Sequence, residues 1–478
     1  MRFKNIYFLG IGGIGMSALA RYFLGEGRRV GGYDLTETPL TQQLTAEGAT
    51  IHYTEDVELI APEFRDPATT LVVFTPAIPQ GHKELVWFFD HGFRIEKRSE
   101  MLGHVSTGKF TMAVAGTHGK TTTTTLVAWL NRAVTGGGSA FLGGISKNFD
   151  SNLVLEPAQS TNTLASEQLS GQRLAVEADE FDRSFLRLAP DVAVITSVDA
   201  DHLDIYGTYD AVREAFSEFI DKVNAGGAVV LNSKVDIAIN NSAITTYSYS
   251  LDDPTTDFCA ENIRPLAGGY YEYDIATPSG TFKDCRLGIT GLVNVENSIA
   301  AVAMVWVAAG MRAEPLDEAK LREGLATFQG VSRRFDFYVN TPSAVYMDDY
   351  AHHPAELSAT LTSLRAMFPS RHITAIFQPH LYTRTRDLYR EFAEALSAAD
   401  EVILVPIYPA RELPIEGVGA EMIGQRLTVP WQLVEKERLA GAIAKMGTDV
   451  VVTFGAGNIA DHCAEIAEVV ERKVDKTK

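Results

Sequence analysis

The chain has 478 residues, more than one hydrophobic core usually organises, so two or three domains of roughly 100 to 200 residues are expected, with three as the working number. Its composition, 46% hydrophobic and 22% charged, is that of a folded globular protein and leaves no room for extensive disorder. A formal net charge of -19 excludes the broad basic surfaces that bind nucleic acid or anionic lipid, so an anionic substrate has to meet a local positive site.

Short apolar runs rich in β-formers alternate with helical patterns along most of the chain, the signature of parallel sheets built by crossover connections, and the fold class is α/β. The first unit predicts a strand at 6–9, a glycine-rich turn, a helix over 16–24 and a strand at 30–33 that ends at Asp34. Further strands are expected at 71–74 and around 93–95. A new start at 110–115 feeds a second glycine turn and a helix from 120 to about 131, which puts a domain boundary near 108. Strands at 174–176 and 192–198 continue this second sheet, 225–290 alternates more like antiparallel strands, and helices over 294–310 and 316–328 close it. After Gly330 strands at 335–338, 344–347, 373–377, 402–405 and 450–454 form a third α/β domain. The polar stretch 156–172 reads as a surface loop. The apolar run 298–311 is shorter than the about 20 residues that cross a bilayer, so no membrane insertion is expected. Arg2 and Lys4 before an apolar stretch mimic a secretory leader, but the glycines there have a better use. Cys259, Cys285 and Cys463 are scattered and odd in number, which points to a reducing compartment, the cytoplasm.

Gly116, Thr117, His118, Gly119, Lys120 and Thr121 lie between a strand and a helix, where backbone N–H groups and the helix dipole cradle phosphate oxygens. The spacing is not that of a standard P-loop, since Val114 stands where the first glycine is expected. Lys120 would neutralise the outer phosphates of ATP, and Thr121 would ligate Mg²⁺. The run from Thr121 and Thr122 to Thr125 suggests hydroxyls wanted near phosphate and metal, threonine being a mediocre helix former. Two acidic groups follow at predicted strand ends, Glu177, Asp179 and Glu180, then Asp199, Asp201, His202 and Asp204, where parallel sheets place their ligands. Gly10, Gly12, Gly13, Ile14 and Gly15 match a dinucleotide-type fingerprint with Asp34 at the distance of a ribose-binding acid. That pattern reports a diphosphate at a helix N-terminus and does not name the base, so NAD, a flavin and a nucleotide sugar all satisfy it. In the third domain Arg333 and Arg334, then Asp348 to His353, then Gln378 to Arg386 mix charge with strand ends and suggest a grip on ribose, phosphate and carboxylate. His352 and His353 lack a third ligand at metal-site spacing.

Together these segments resemble the Mur ligases of peptidoglycan synthesis over nearly the whole chain, on seven motifs in order: 10–17, 116–123, 177–180, 201–207, 333–336, 348–356 and 378–386. The resemblance implies a Rossmann-like N-terminal domain at 1–107 for a UDP-sugar, a central P-loop-type ATPase domain with a mixed sheet at 108–328, and a C-terminal Rossmann-like domain at 329–478 that closes over the site. It implies that ATP phosphorylates the lactyl carboxylate of UDP-N-acetylmuramate and that the amine of L-alanine attacks the acyl phosphate. Residue by residue, Gly12, Gly13, Ile14, Gly15 and Met16 would hold the UDP diphosphate and Asp34 the nucleoside. Lys120 would bind ATP phosphates, with Thr121 and Glu177 on one Mg²⁺ and His202 on a second; Asn294 and Asn297 would lie near adenine. Arg334 and Asp349 would contact the nucleotide, His352 would face the phosphoryl region, and Tyr350, His380 and Arg384 would form the amino-acid pocket.

The chain departs from the family at four places. Leu292 and Val293 replace Arg-His before Asn294, Leu381 replaces an Arg beside His380, Thr75-Pro76 replaces Ser-Ser, and Phe216 stands near a position that carries a modified lysine in some sister ligases. Alternatives are a recycling ligase that attaches a ready-made tripeptide to the same sugar, an NAD-dependent dehydrogenase and a non-enzymatic nucleotide switch. The base that deprotonates the amine stays open among His118, His352 and His380, as does the oligomeric state between monomer and weak homodimer.

Overall fold

The computed structural model describes residues 3–156, 171–200, 203–410, 412–446 and 449–476, so the expected loop at 156–172 and the positions Asp201 and His202 lie almost wholly outside the described residues. Three sheets are present among the described residues. The first, in the order β3-β2-β1-β4-β5, is parallel and consists of β1 (Asn5–Leu9), β2 (Arg29–Tyr33), β3 (Thr50–His52), β4 (Thr70–Phe74) and β5 (Arg94–Lys97). Side chains alternate across a strand, so Ile6 and Phe8 of β1 enter one core while Tyr7 and Leu9 enter the core on the opposite face. Both faces being covered explains why β1 reads as a continuous apolar run.

The second sheet has ten strands: β6 (Phe110–Ala115), β7 (Ser139–Ser146), β8 (Ser151–Val154), β9 (Arg173–Glu177), β10 (Val192–Ile195), β11 (Ala228–Asn232), β12 (Thr245–Ser250), β13 (Phe258–Pro265), β14 (Tyr271–Thr277) and β15 (Gly280–Arg286), in the order β15-β14-β13-β12-β11-β10-β6-β9-β7-β8. The sheet is mixed, with β7 and β8 antiparallel. The expectation of antiparallel strands over 225–290 is corrected for its first part, where β11 pairs with β12, and β12 with β13, in parallel; β13, β14 and β15 are sheet neighbours joined by connections of five and two residues, which only antiparallel strands allow. In β12 the sequence alternates Tyr with Ser, but burial does not follow it and grades from exposed Thr245 to buried Ser250, so the alternation there carried no information on strand direction. The helix Leu292–Met311 is long and apolar enough to cross a membrane by length and composition, but 72% of its apolar window is buried inside the protein, as in a core helix.

The third sheet, in the order β16-β17-β21-β18-β19-β20, contains β16 (Asp336–Asn340), β17 (Val345–Asp349), β18 (Ile373–Phe377), β19 (Glu401–Leu404), β20 (Trp431–Leu433) and β21 (Val450–Phe454). It is parallel except for the edge pair β16 and β17. Alternation again splits its residues: Val450, Val452 and Phe454 pack on one face and Val451 on the other. The chain divides into two compact units, one of 1–263, 273–287 and 296–329, the other of 264–272, 288–295 and 330–478.

Candidate active site

In the first unit β6 runs straight into the loop Gly116 to Gly119, and the helix Lys120–Thr135 starts at Lys120. Two glycines make the turn possible. Gly116 has φ +136°, and a Cβ there would lie 2.0 Å from Thr196 Oγ1; Gly119 has φ +79°, and a Cβ there would lie 2.6 Å from Asn297 Oδ1. The loop is strapped to the end of β10. Thr117 N–H donates to the Ser197 carbonyl (3.0 Å), His118 N–H to Ser197 Oγ (2.9 Å) and Thr117 Oγ1 to Asp199 Oδ2 (3.1 Å), while His118 Nε2 lies 3.4 Å from Asp199 Oδ2. Asn297 is thus seated against the phosphate loop at Gly119; Asn294, in the other unit, donates from Nδ2 to the Thr290 carbonyl at 2.7 Å.

Lys120 Nζ donates to the Gly116 carbonyl at 2.5 Å and to Glu180 at 2.8–2.9 Å. Burial works against its charge, but Glu180, Asp179 and Glu177 outweigh burial and hold the ammonium above its ordinary range. The sequence expectation that the threonine run serves phosphate and metal needs correction at two positions. Thr124 Oγ1 donates to the Lys120 carbonyl (2.8 Å) and Thr125 Oγ1 to the Thr121 carbonyl (2.7 Å), so both hydroxyls are spent on their own helix. Thr121 and Thr122 are buried in the first turn of the helix.

Glu177 ends β9, and its carboxylate passes through space that only glycine leaves open: a Cβ on Gly143 would lie 2.2 Å from Glu177 Oε2. A cleft of about 100 Å³ is lined by Ile14, Gly15, Arg98, Gly143, Glu177 and Asp179 among others. It brings together the first glycine turn and the acid cluster. Arg98 donates to Asp179 Oδ2 at 2.9 Å and crowds Gly15, where a Cβ would lie 2.7 Å from Nη1.

The first glycine turn joins β1 to the helix Ile14–Gly25, capped by Gly13. Gly10, at φ +84°, and Ile11 donate to the Tyr33 carbonyl at 2.8 and 3.1 Å. Asp34 Oδ2 accepts Gly12 N–H at 2.7 Å, so this acid holds the turn itself. Met16 sends its side chain into the core, which leaves only its backbone for a ligand. Thr75, one of the departures from the family, packs against Gly10, and Phe216 is buried against Phe185.

In the second unit β17 ends at Asp349, whose Oδ1 and Oδ2 accept Ala351 and Phe335 N–H at 2.8 Å each. Burial pushes its carboxyl up to about 6, against Arg334. Tyr350 lies between two guanidinium groups, Arg333 at 5.1 Å and Arg334 at 4.9 Å from its ring centre. His352 stands edge-on to Tyr350 and to His380, with ring centres 5.3 and 5.9 Å away, and His380 stacks on Tyr408. Leu381, the departure from the expected Arg, adopts φ +71° as it opens the helix Tyr382–Leu396, and its N–H bonds the Tyr408 carbonyl. Arg384, on the first turn of that helix, has Nη1 buried with no hydrogen bond among the described residues. Leu292 and Val293, the other departure, are exposed.

Sequence reasoning assigned no role to Arg98, Gly143, Ser197, Glu356 or Tyr408. Glu356 had a signal: three residues after His353 at a helix start, it accepts both His352 and His353 N–H groups. The others act through tertiary placement that no local pattern announces.

Three family models cover most of the chain: Mur ligase family, catalytic domain, at 5–109; Mur ligase middle domain at 114–305; and Mur ligase, glutamate ligase domain, at 333–474. Among curated relatives, UDP-N-acetylmuramate–L-alanine ligase of Phocaeicola vulgatus is 44% identical over 474 residues, 98% of this chain and 99% of the relative. The enzyme of that name from Flavobacterium johnsoniae is 41% identical over 477 residues, again 98% and 99%. Among solved structures, UDP-N-acetylmuramate–alanine ligase of Thermotoga maritima superposes with a TM-score of 0.78 at 26% identity over 99% of both chains. The chain belongs to the Mur ligase family.

Proposed function

We propose that this protein is an ATP-dependent ligase that joins L-alanine to the lactyl carboxylate of UDP-N-acetylmuramate in peptidoglycan precursor synthesis. The observation that carries the reading is the buried Lys120 at the start of a helix, closed on a glycine loop and ringed by Glu177, Asp179 and Glu180, within a chain that matches relatives of this activity from end to end. A carboxylate is a poor electrophile; phosphorylation gives it a leaving group, and the amine then displaces phosphate. The domains assigned are 1–107 for the UDP-sugar, 108–328 for ATP and 329–478 for the amino acid and the nucleotide.

The turn Gly12 to Met16 is assigned to the diphosphate, with the helix N-terminal N–H groups from Ile14 onward on offer, and Asp34, which accepts the Gly12 N–H, to the nucleoside. Gly116 to Thr122 hold the triphosphate, and Lys120 exchanges Glu180 for phosphate oxygens when ATP enters. Asn294, Asn297, Arg334 and Asp349 serve the nucleotide. Arg384, with its buried Nη1, takes the amino-acid carboxylate beside Tyr350 and His380. The Glu177 carboxylate and Thr121 hydroxyl are hard oxygen donors that fit Mg²⁺, which keeps phosphate and water for most of its shell; no cluster of three acidic, His or Cys ligands exists among the described residues. Bound there, Mg²⁺ supplies charge neutralisation at the phosphates. His202 is assigned to a second ion from the family resemblance alone.

The test is phosphate release from ATP with Mg²⁺, UDP-N-acetylmuramate and single amino acids. L-Alanine is the expected acceptor, and a tripeptide that outcompetes it would select the recycling ligase. No release with any acceptor would overturn the proposal.

A further inference from the structure

Three histidines could take the proton that the attacking amine must lose, and their surroundings differ. The His118 ring is committed to Asp199, 3.4 Å from Nε2, within the phosphate loop. The His380 ring lies flat on Tyr408, centres 5.8 Å apart and planes 24° apart, fixed by a bridge between the two backbones. His352 is placed otherwise. Its Nδ1 lies 3.1 Å from the Tyr350 carbonyl oxygen and 3.4 Å from Glu356 Oε2, and neither atom can donate. The ring proton therefore sits on Nδ1, and Nε2 carries the lone pair. Glu356 is itself immobilised, because Oε2 accepts the His352 and His353 N–H groups at 2.9 and 3.2 Å where the helix Pro354–Met367 begins. The ring is 24% exposed, open enough to meet a ligand, and its neighbours are Tyr350, His380 and Arg384.

We propose that His352 Nε2 is the general base of amide formation, oriented through Nδ1 by the Tyr350 carbonyl and Glu356; this deepens the ligase reading above and rests on it. In the step, Nε2 takes a proton from the amine as its nitrogen bonds to the acyl-phosphate carbon. The tetrahedral adduct then collapses, the carbon–oxygen bond to phosphate breaks, and inorganic phosphate leaves with the electron pair. The imidazolium, its charge facing Glu356, returns the proton to solvent. This is the division of labour by which a carboxylate orients a histidine base and stabilises its protonated form.

The charged groups facing the ring are Glu356, Arg384 and Arg334, the last 3.9 Å from Glu356 through Nη1. Burial first, then the two arginines, push the His352 ring down to about 4 against the pull of Glu356. The free protein thus holds the ring as a neutral acceptor throughout the neutral range. An amino-acid carboxylate on Arg384 offsets one of the charges that oppose protonation, so the base strengthens when its substrate arrives.

The experiment separates acyl-phosphate formation from amine attack. His352→Asn keeps an N–H for the Tyr350 carbonyl and removes the base. Three rates are read: UDP-sugar-dependent exchange of label between ADP and ATP, L-alanine ligation, and hydroxamate formation with hydroxylamine, a nucleophile already deprotonated at neutral pH. Expected are near-normal exchange and hydroxamate with ligation slowed by about 10²- to 10⁴-fold. Ligation at the wild-type rate, or equal loss of all three, would overturn the assignment. Glu356→Gln guards against a folding defect: it keeps an oxygen for the two N–H groups but removes the charge that supports the imidazolium. The acid limb of ligation should therefore move to lower pH, and an unmoved limb overturns the proposal. If the wild-type protein shows neither exchange nor hydroxamate, the ligase reading itself fails.

Discussion

The first unit contains two glycine-rich strand-to-helix turns, one at Gly10 to Gly15 capped by Gly13 at φ -63° and one at Gly116 to Gly119 capped by Gly119 at φ +79°, and they differ in charge as well. At the first, the acid Asp34 occupies the Gly12 N–H, and the nearest cation over the turn, Arg98, is borrowed from a distant helix and paired with Asp179. At the second, a lysine from the loop itself is buried among three carboxylates. A diphosphate that only has to be held needs aligned N–H groups and little more. A phosphoryl group that is transferred needs a cation fixed against the charge that develops on it. The glycine pattern is common to both turns, and under the proposed function the charges around them distinguish the one from the other.

Removing that cation should break the asymmetry most severely. Lys120→Ala is expected to lower ligation by about 10³-fold or more, as for other residues that hold a transferring phosphoryl group. UDP-N-acetylmuramate binding, followed by calorimetry, should be unchanged. The variant also removes the Lys120 ammonium from the buried Glu180 carboxylate, a loss of about 3–5 kcal/mol. Combining it with Glu180→Gln should restore the melting temperature and not the activity. Ligation at the wild-type rate in Lys120→Ala would mean that this loop is not the phosphoryl donor site.

Glycine substitutions should sharpen the comparison with a smaller effect. Gly116→Ala places a Cβ 2.0 Å from Thr196 Oγ1 at a φ of +136°, so the loop must shift, at a cost of about 1–3 kcal/mol for the backbone alone. The KM for ATP should rise at least tenfold while the KM for the UDP-sugar holds. Gly12→Ala should do the reverse, since its Cβ would meet Asp34 Oδ2 at 2.9 Å and Thr41 Cγ2 at 2.7 Å. Gly13 has φ -63°, and the nearest atom to a Cβ there is 3.6 Å away; Gly13→Ala should change both constants by less than the factor that about 0.5 kcal/mol allows.

How much of this was legible follows from what each feature depends on. Strands buried on both faces, such as Phe110–Ala115, Ile373–Phe377 and Val450–Phe454, have the bounds their apolar runs predict. So do the turns, because glycine before a helix is a backbone requirement written in the sequence. Within 225–290 the direction of β11, β12 and β13 was misread because alternation in sequence does not report which neighbour a strand pairs with, and burial in Thr245–Ser250 does not follow it. The threonines at 124 and 125 were misread because a hydroxyl on a helix can serve its own backbone as readily as a ligand. The choice among histidines was out of reach, since it turns on which acceptor faces Nδ1 of His352, a contact through a backbone carbonyl that no side-chain motif encodes.

The smallest effect concerns what lies beneath the first turn. Glu84 is fully buried, and the Tyr7 hydroxyl lies 2.8 Å from its Oε2 and 2.7 Å from His52 Nε2. His52 Nδ1 faces the Thr54 carbonyl at 2.9 Å. The Tyr7 hydroxyl donates to Glu84 Oε2, a bond that favours the carboxylate, but burial outweighs it and pushes the Glu84 carboxyl up to about 7. Because this value is raised, stability from Glu84 is fully present below its ordinary range and is lost as pH rises through about 7. Burial lowers His52 and His82, whose contribution runs the other way and is lost as pH falls. Glu84→Gln should therefore flatten the alkaline side of the melting profile and raise stability at pH 8 by on the order of 2–3 kcal/mol, read from thermal unfolding at several pH values. The network touches the Gly10 to Gly15 turn, since the His82 ring lies tilted against Tyr33 at 4.6 Å and Asp34 N–H bonds the His52 carbonyl at 3.2 Å. In the wild-type protein the KM for the UDP-sugar should drift upward above pH 7 while the KM for ATP does not, and the drift should vanish in Glu84→Gln. Equal drift in both constants would show that the two turns do not differ in this respect.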